Sequence, residues 1–361
     1  MKELYIGVMS GTSLDGIDIV LCAIKDDSFE LIYSEEYVFD ENLKNDILNA
    51  IYSKVALKFI GELDTKLGEI YAKTINTFID KYKIDKSKIK AIGLHGQTLW
   101  HQPNGKYPFS MQLANASLIT TITGVSVVSD FRQKDIALGG QGAPLTPAFH
   151  KYIFSRLKKN VAVLNIGGMA NISILGKELI GYDTGCGNVL LDLWIGKKKK
   201  LKYDKDGQWA SSGDVNEKLL KQMLQDNYFH LPAPKSTGRE YFNEEWLTNH
   251  LERSFKLEPQ DVQATLLALT SKSIANEVKK TNTDILIICG GGVKNKALMN
   301  SLHVELENVQ VLSSEECEIS SDFMEAMAFA WLAYKRVNKQ KVELKTVTGA
   351  SADTILGCIY E

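Results

Sequence analysis

Ten residues near the start of the chain, MSGTSLDGID (9–18), place two glycines, three hydroxyl side chains and two aspartates in one short connection between apolar runs. A polyphosphate needs backbone N–H groups that approach it closely, which glycine permits because it lacks Cβ. Ser10, Thr12 and Ser13 add hydroxyl donors, and Asp15 or Asp18 can hold a hydrated Mg²⁺. The same composition also suits a hairpin turn decorated with hydroxyl-to-backbone bonds. A second reactive candidate is Asp183 in IGYDTGCGNVLLDLWIG (180–196), which follows a short apolar run and precedes a small-residue turn. A carboxylate at a strand end, buried enough to raise its pKa, can serve as a general base. A turn aspartate that accepts bonds from its own loop is the alternative.

Other side chains suit a hydroxylated or anionic ligand. Gln97, Thr98, Arg132 and Asp135 can grip such a molecule, the arginine through its planar fork, and each can equally be a loop anchor or an ion pair. His95 and His101 lie six apart across an expected loop, a spacing that suits hydrogen-bonding or packing histidines better than a metal pair. No GxxxxGK[ST] loop occurs, and GCGNVL (185–190) and GGGVKN (290–295) each lack the last glycine of a dinucleotide fingerprint. No serine sits in GxSxG. Cys186, between two glycines, is either an exposed reactive thiol or a small residue tolerated in a turn.

The elements that must position these groups alternate between strand and helix. LYIGVM (4–9) and IDIVLCAI (17–24) read as strands on either side of the opening turn, and 42–83 carries helix-period apolar positions without proline. Ala91–Leu94 is a buried strand running into the His95–Thr98 loop, and VSVVS (125–129) is another that enters DFRQKDIALGGQGAPLTP. VAVLNIGGMANISIL (161–175) then repeats the opening pattern of strand, glycine turn and strand, which suggests two halves of related architecture. DILIICGGGVKNKALMNSL (284–302) is a buried strand ending in three glycines and entering a helix near Asn295. DFMEAMAFAWLAYKRV (322–337) is apolar nearly all round, so it must be buried, and a place between the halves is expected. The pattern is that of an α/β protein whose site lies at strand ends, in a cleft between two lobes.

Composition narrows the partners. With 42 Lys and Arg against 44 Asp and Glu, the net charge of −2 gives no electrostatic reason to bind nucleic acid or an anionic membrane. The one basic cluster, KKKKLK (197–202), reads as a solvated face. The longest uncharged run, 107–129, is too polar for a membrane span. Five cysteines without CxxC spacing, and a start without a signal-peptide core, lead to an expected cytoplasmic location.

In order along the chain, GVMSGTSLDGIDIVL, LHGQTLWHQP, SDFRQKDIALGGQGAPLTP, LNIGGMANIS, GYDTGCGNVLLD, CGGGVKNKALM, EAMAFAWLA and TGA (348–350) resemble the anhydro-N-acetylmuramic acid kinase family. One departure is Cys186, where the family usually has proline. The resemblance implies the two-lobed, ribonuclease-H-like α/β fold of sugar kinases and actin, with residues 1–130 plus 345–361 as the first lobe and 131–344 as the second. It also implies ATP and Mg²⁺ as cofactors, and conversion of 1,6-anhydro-N-acetylmuramic acid to N-acetylmuramic acid 6-phosphate with ring opening by water. Gly11, Thr12, Ser13, Leu14, Asp15, Gly16, Ile17 and Asp18 would then form the ATP phosphate loop, joined by Gly167, Gly168, Asn171, Gly290, Gly291 and Gly292. Asp15 and Asp18 would hold Mg²⁺ through water, and Asp183 would be the base. The sugar would meet His95, Gln97, Thr98, Arg132, Asp135 and Glu325. A homodimer is expected from the superfamily. A kinase of an ordinary hexose, and an ATP-gated chaperone-like or actin-like protein, are the alternatives; the last would be expected to carry a peptide-binding domain or filament surface.

Overall fold

In the computed structural model, which describes residues 2–233, 235–251 and 257–361, the apolar runs beside the opening turn pair as antiparallel strands. They belong to the first of two units, residues 1–153 with 323–361; the second is 154–322. Strands of the first unit are β1 Glu3–Met9, β2 Gly16–Lys25, β3 Ser28–Val38, β4 Ile89–Leu94, β5 Gln97–Gln102, β6 Phe109–Leu113 and β7 Val127–Ser129. Its main sheet runs β3, β2, β1, β4, β7 and then the C-terminal strand Cys358–Tyr360. β1, β2 and β3 are antiparallel neighbours, and β4 and β7 run parallel to β1.

One face of this sheet is covered by the helix Leu57–Lys81, which buries Leu63, Leu67, Tyr71, Ile75 and Phe78 at intervals of three and four residues. On the preceding helix, Glu41–Tyr52, Asp40 caps the start by accepting from Leu43 N at 2.8 Å. The apolar helix Met324–Val337 packs on β1, β2 and β4. It is therefore part of the first unit. Gly7 and Gly93 are paired across β1 and β4, and a Cβ on either would fall 1.9 Å from Ala326 O or 2.0 Å from Phe329 O. The sheet accepts the helix backbone this closely only because those two positions lack side chains.

The second unit repeats the plan. Its strands are β8 Val161–Ile166, β9 Met169–Leu175, β10 Leu179–Cys186, β11 Ile285–Cys289 and β12 Gln310–Ser313, in the order β10, β9, β8, β11, β12. β8, β9 and β10 are antiparallel neighbours, while β11 and β12 run parallel to β8. Numbered within its own sheet, each has the order 3-2-1-4-5 with the same directions, the first carrying the C-terminal strand as a sixth beyond the fifth. The core of this unit gathers Leu164, Ile172, Leu190, Trp194, Phe242, Leu266 and Leu298, among others.

Two sequence expectations change here, and the solvated reading of the basic run is met. Residues 131–153 and 323–344 belong with the first unit, because the helix Met324–Val337 needs the β1–β4 surface to bury its apolar circumference. Gln97, Thr98 and His101 do not lie in a loop: β5 and β6 form a two-stranded hairpin of their own. KKKKLK is the exposed last turn of the helix Val189–Lys199 and the residues after it. No helix among the described residues is long and apolar enough to cross a membrane.

Candidate functional site

The opening turn of the first unit is built around a buried leucine. Leu14 takes a left-handed φ of 59°, closes the turn through its N–H to Gly11 O at 3.3 Å, and inserts its side chain into the core. This leaves Thr12, Ser13 and Asp15 exposed on the rim, with Gly11 half-buried and Gly16, Ile17 and Asp18 already in β2. Ser10 is not on the rim: its buried Oγ is bonded to Tyr71 Oη, with Gly96 O at 3.4 Å. Gln97 supports the turn from beneath, its Nε2 donating to Gly11 O at 3.4 Å, while its buried Oε1 has no partner.

Behind Gln97 lies a polar cluster. Arg132 donates to His95 Nε2 at 2.8 Å and to Gly142 O at 2.7 Å. Because arginine is only a donor, His95 must be neutral and accept through Nε2. Burial and then the Arg132 charge hold its pKa well below the imidazole range. Arg132 is itself lowered to about 10 by burial, against the influence of Glu325, and stays charged. Glu325, in the first turn of the helix Met324–Val337, is accessible to solvent, yet desolvation raises its pKa while Arg132 opposes the shift. Thr98 Oγ1 accepts from Gln112 Nε2 at 3.2 Å. Asp135 differs from these: it is buried, with Oδ2 accepting from Gly142 N at 2.7 Å and Oδ1 from Thr348 Oγ1 at 2.8 Å. Both oxygens therefore shape the 139–142 turn.

In the second unit Asp183 sits on β10, just before a bulge at Asp183 and Gly185. Its Oδ2 accepts from Thr237 N at 3.0 Å, a donor from a remote segment and not from its own loop. Burial pushes the carboxyl up to about 6; the Thr237 amide pulls down and the Glu240 charge pushes up. Asn171, on β9, is paired opposite Asp183. The turn between β8 and β9 is laced to the next helix by bonds to Gly167 O from Asn188 N (2.9 Å), and to Gly168 O from Gly187 N (2.9 Å) and Val189 N (3.1 Å). Cβ atoms on Gly167 or Gly168 would meet nothing closer than 3.7 Å, so this turn is open to an approaching ligand.

The triple glycine divides by role. A Cβ on Gly290 would lie 2.2 Å from Asn165 Oδ1 and one on Gly292 would lie 2.4 Å from Ile166 Cγ2, so these two are needed for packing against β8. A Cβ on Gly291 would meet nothing within 4 Å. Gly291 lines a cavity of about 510 Å³ together with Asn188, Asp192, Tyr203, Lys294 and Asn295. Asp192 there is raised to about 6 by burial, against the Arg239 charge. Cys186 is buried at the end of β10 and its thiol is pushed up to about 12, which leaves it unreactive. Thr237, Arg239 and Glu240 lie outside every motif read from the sequence, while Asn188 and Asp192 lie inside GYDTGCGNVLLD but are not among the expected site residues. Thr237 acts through its backbone N–H, which any residue but proline could supply.

Among the described residues no three of His, Cys, Asp and Glu form a metal-ligating group. Mg²⁺ in phosphoryl-transfer sites needs only one or two carboxylates beside phosphate oxygens and water. An exposed Asp15 with a half-buried Asp18 fits that requirement.

A sheet order of 3-2-1-4-5 found twice, each with a glycine-bearing turn after its first strand, defines the ribonuclease-H-like α/β class, once in each unit. A family model described as anhydro-N-acetylmuramic acid kinase matches residues 3–361. The chain belongs to that family and is a phosphotransferase. It is 57% identical over 368 residues to the anhydro-N-acetylmuramic acid kinase of Sulfurimonas denitrificans, covering 100% of both chains. It is 48% identical over 369 residues to that of Pasteurella multocida, covering 100% of this chain and 98% of the other. Among solved structures, a ROK family glucokinase from Streptomyces griseus in complex with glucose and AMPPNP aligns over 92% of this chain and 99% of its own, at 12% identity and a TM-score of 0.42.

Proposed function

We propose that this kinase uses ATP and Mg²⁺ to open the ring of 1,6-anhydro-N-acetylmuramic acid with water and to phosphorylate O6, giving N-acetylmuramic acid 6-phosphate. The reading includes a cytoplasmic homodimer acting in peptidoglycan recycling. The observation that carries it is Asp183: a largely buried carboxyl held by one backbone amide, with a pKa of about 6. Such a group is ionised at neutral pH and still basic enough to take a proton from water. Water attacks C1 and gives its proton to Asp183. The C1–O bond of the anhydro bridge breaks, and the departing oxygen, still bonded to C6, takes the γ-phosphoryl group from ATP. ADP leaves. Phosphorus captures the leaving oxygen, so no separate general acid is required.

Each unit supplies its own part of this chemistry. The Gly11–Asp18 rim and the open Gly167–Gly168 turn offer backbone donors to phosphate, and Gly291 with the adjoining cavity has room for the rest of the nucleotide. Bound at Asp15 and Asp18 through water, Mg²⁺ would neutralise charge on the phosphates. Gln97 Oε1, buried without a partner, is an acceptor for a sugar hydroxyl, and charged Arg132 suits the lactyl carboxylate. Asp135 would act indirectly, through the turn that receives Arg132.

The test is coupled ADP release with 1,6-anhydro-N-acetylmuramic acid, set beside glucose and free N-acetylmuramic acid. Turnover with the anhydro sugar alone is expected, and turnover with glucose would favour the hexose-kinase reading. A second prediction concerns the nucleotide. Gly291→Ala should leave the melting temperature unchanged and raise the KM for ATP roughly tenfold, since crowding a contact costs about 1–2 kcal/mol. Gly290→Ala, at φ +80° and 2.2 Å from Asn165 Oδ1, should instead lower the melting temperature; thermal scans with ATP titrations separate the two.

A further inference from the structure

Behind Asp183 lies an ion pair that phosphoryl transfer does not use. Lys235 Nζ and Glu277 Oε1 are 2.9 Å apart, with side chains only 2% and 5% exposed. Glu277 belongs to the helix Pro259–Val278 and also accepts from Tyr182 Oη at 3.2 Å and from Lys280 Nζ at 2.9 Å. The Lys235 ammonium donates to the carbonyls of Tyr228 and Phe229 at 3.3 and 3.4 Å and lies over the Tyr228 ring. Taking two charges out of water is expensive, and a pair so placed is weak evidence for stability by itself. What distinguishes this one is what its partners hold.

Asp183 is gripped by the same residues on both sides of its peptide. Its N–H donates to Lys235 O at 2.9 Å, and its C=O accepts from Tyr228 Oη at 2.7 Å. Two residues beyond Lys235, Thr237 N supplies the hydrogen bond to the Asp183 carboxylate. We propose that the buried Lys235–Glu277 pair is a positioning device for Asp183, tying Tyr228, Phe229 and Lys235 to the helix Pro259–Val278 so that the Thr237 amide stays aimed at the base. The inference rests on the reading of Asp183 as the base.

The pair acts through geometry. The groups that set the Asp183 carboxyl are its burial, the Thr237 amide and the Glu240 charge. The neighbouring ionisable groups are Tyr228 and Cys186, both held protonated by burial. Loss of the Thr237 bond removes the only stabilising contact in that set, so the carboxyl titrates higher. A base must be ionised, so the acid limb of activity then moves to higher pH.

The experiment is the double variant Lys235→Met with Glu277→Gln, which removes both charges without leaving one buried alone. Melting temperature, kcat, the KM values and the pH profile of kcat are measured beside wild type and Asp183→Asn. The expected result is a kcat lowered about 10²-fold through misplacement of the base, an unchanged KM for ATP, and an acid limb shifted to higher pH. A double variant that melts lower but keeps wild-type kcat and limb would show a purely structural pair and overturn the inference, while loss of activity in Asp183→Asn would leave the base reading standing. Near wild-type activity in Asp183→Asn would remove both. If the double variant does not fold, Tyr228→Phe, which deletes only the hydroxyl bonded to Asp183 O, is read the same way: an unchanged kcat and limb overturn the inference.

Discussion

Asp183→Asn should lose about 10²- to 10⁴-fold in kcat, the range expected for removal of a general base, while the KM for ATP stays near its wild-type value. The variant should also be more stable than the parent at pH 8. The sign follows from linkage. Burial raises the folded-state pKa from 3.8 to about 6, so the group favours the folded state below pH 3.8 and that contribution is lost as pH rises through about 6. Above pH 6 the ionised carboxylate opposes folding, by roughly 1–3 kcal/mol for a shift of about two units. Asparagine removes that charge and keeps an oxygen to accept from Thr237 N. An inactive protein with a raised melting temperature would thus separate lost chemistry from lost structure. Wild-type kcat should fall below about pH 6 as Asp183 protonates; a pH profile flat to pH 5 would exclude it as the base.

The second large effect is on stability. Gly7→Ala should destabilise the protein by about 3 kcal/mol, the upper part of the range for overpacking. The new methyl would stand 1.9 Å from Ala326 O and 2.8 Å from Ala330 N, both backbone atoms of a regular helix that cannot yield locally. The helix must rise off the sheet along its length. Gly93→Ala should behave alike, because its Cβ would lie 2.0 Å from Phe329 O. The two positions are neighbours across β1 and β4, so their effects should be less than additive once the helix has lifted. Function should follow. Glu325 precedes Ala326 in the same first turn, so lifting that turn displaces Glu325 from Arg132 and should raise the KM for the sugar in molecules that remain folded. Gly61→Ala is the control: its Cβ would meet nothing within 4 Å in the helix Leu57–Lys81, and it should stabilise by roughly 0.5–1 kcal/mol. Urea unfolding of the three variants checks the set; a Gly7→Ala midpoint equal to wild type would show that the helix contact is loose.

The sequence made the strand-turn-strand units legible because their apolar runs are short, continuous and bounded by glycine. LYIGVM, VAVLNI and ILIIC each lie in one of the central strands β1, β8 and β11. The hairpin β5–β6 was harder to see. Trp100 and Met111 turn outward while Gln97 and Ser110 are buried, so hydrophobicity does not follow the alternation. The path of Met324–Val337 was also hidden: a helix apolar on every side announces burial but not its partner. Only Gly7 and Gly93, unremarkable in their strands, record that partner, and they do so by what they lack. Among the candidate site residues, Asp183 and the glycine turns were visible from residue type. The Thr237 donor was not, because a backbone amide has no signature, and Asp135 could not be separated from Arg132 until its two oxygens were seen to serve Gly142 and Thr348.

Water is expected to enter at C1 while the former bridge oxygen, retained on C6, receives the γ-phosphoryl group. This route is tested most directly by running the reaction with ATP in ¹⁸O-water and analysing the sugar phosphate at times short compared with spontaneous anomeric exchange. One solvent oxygen at C1 and none in the phosphate group is the predicted result. Product formed without label at C1, or with solvent oxygen in its phosphate, would contradict the account.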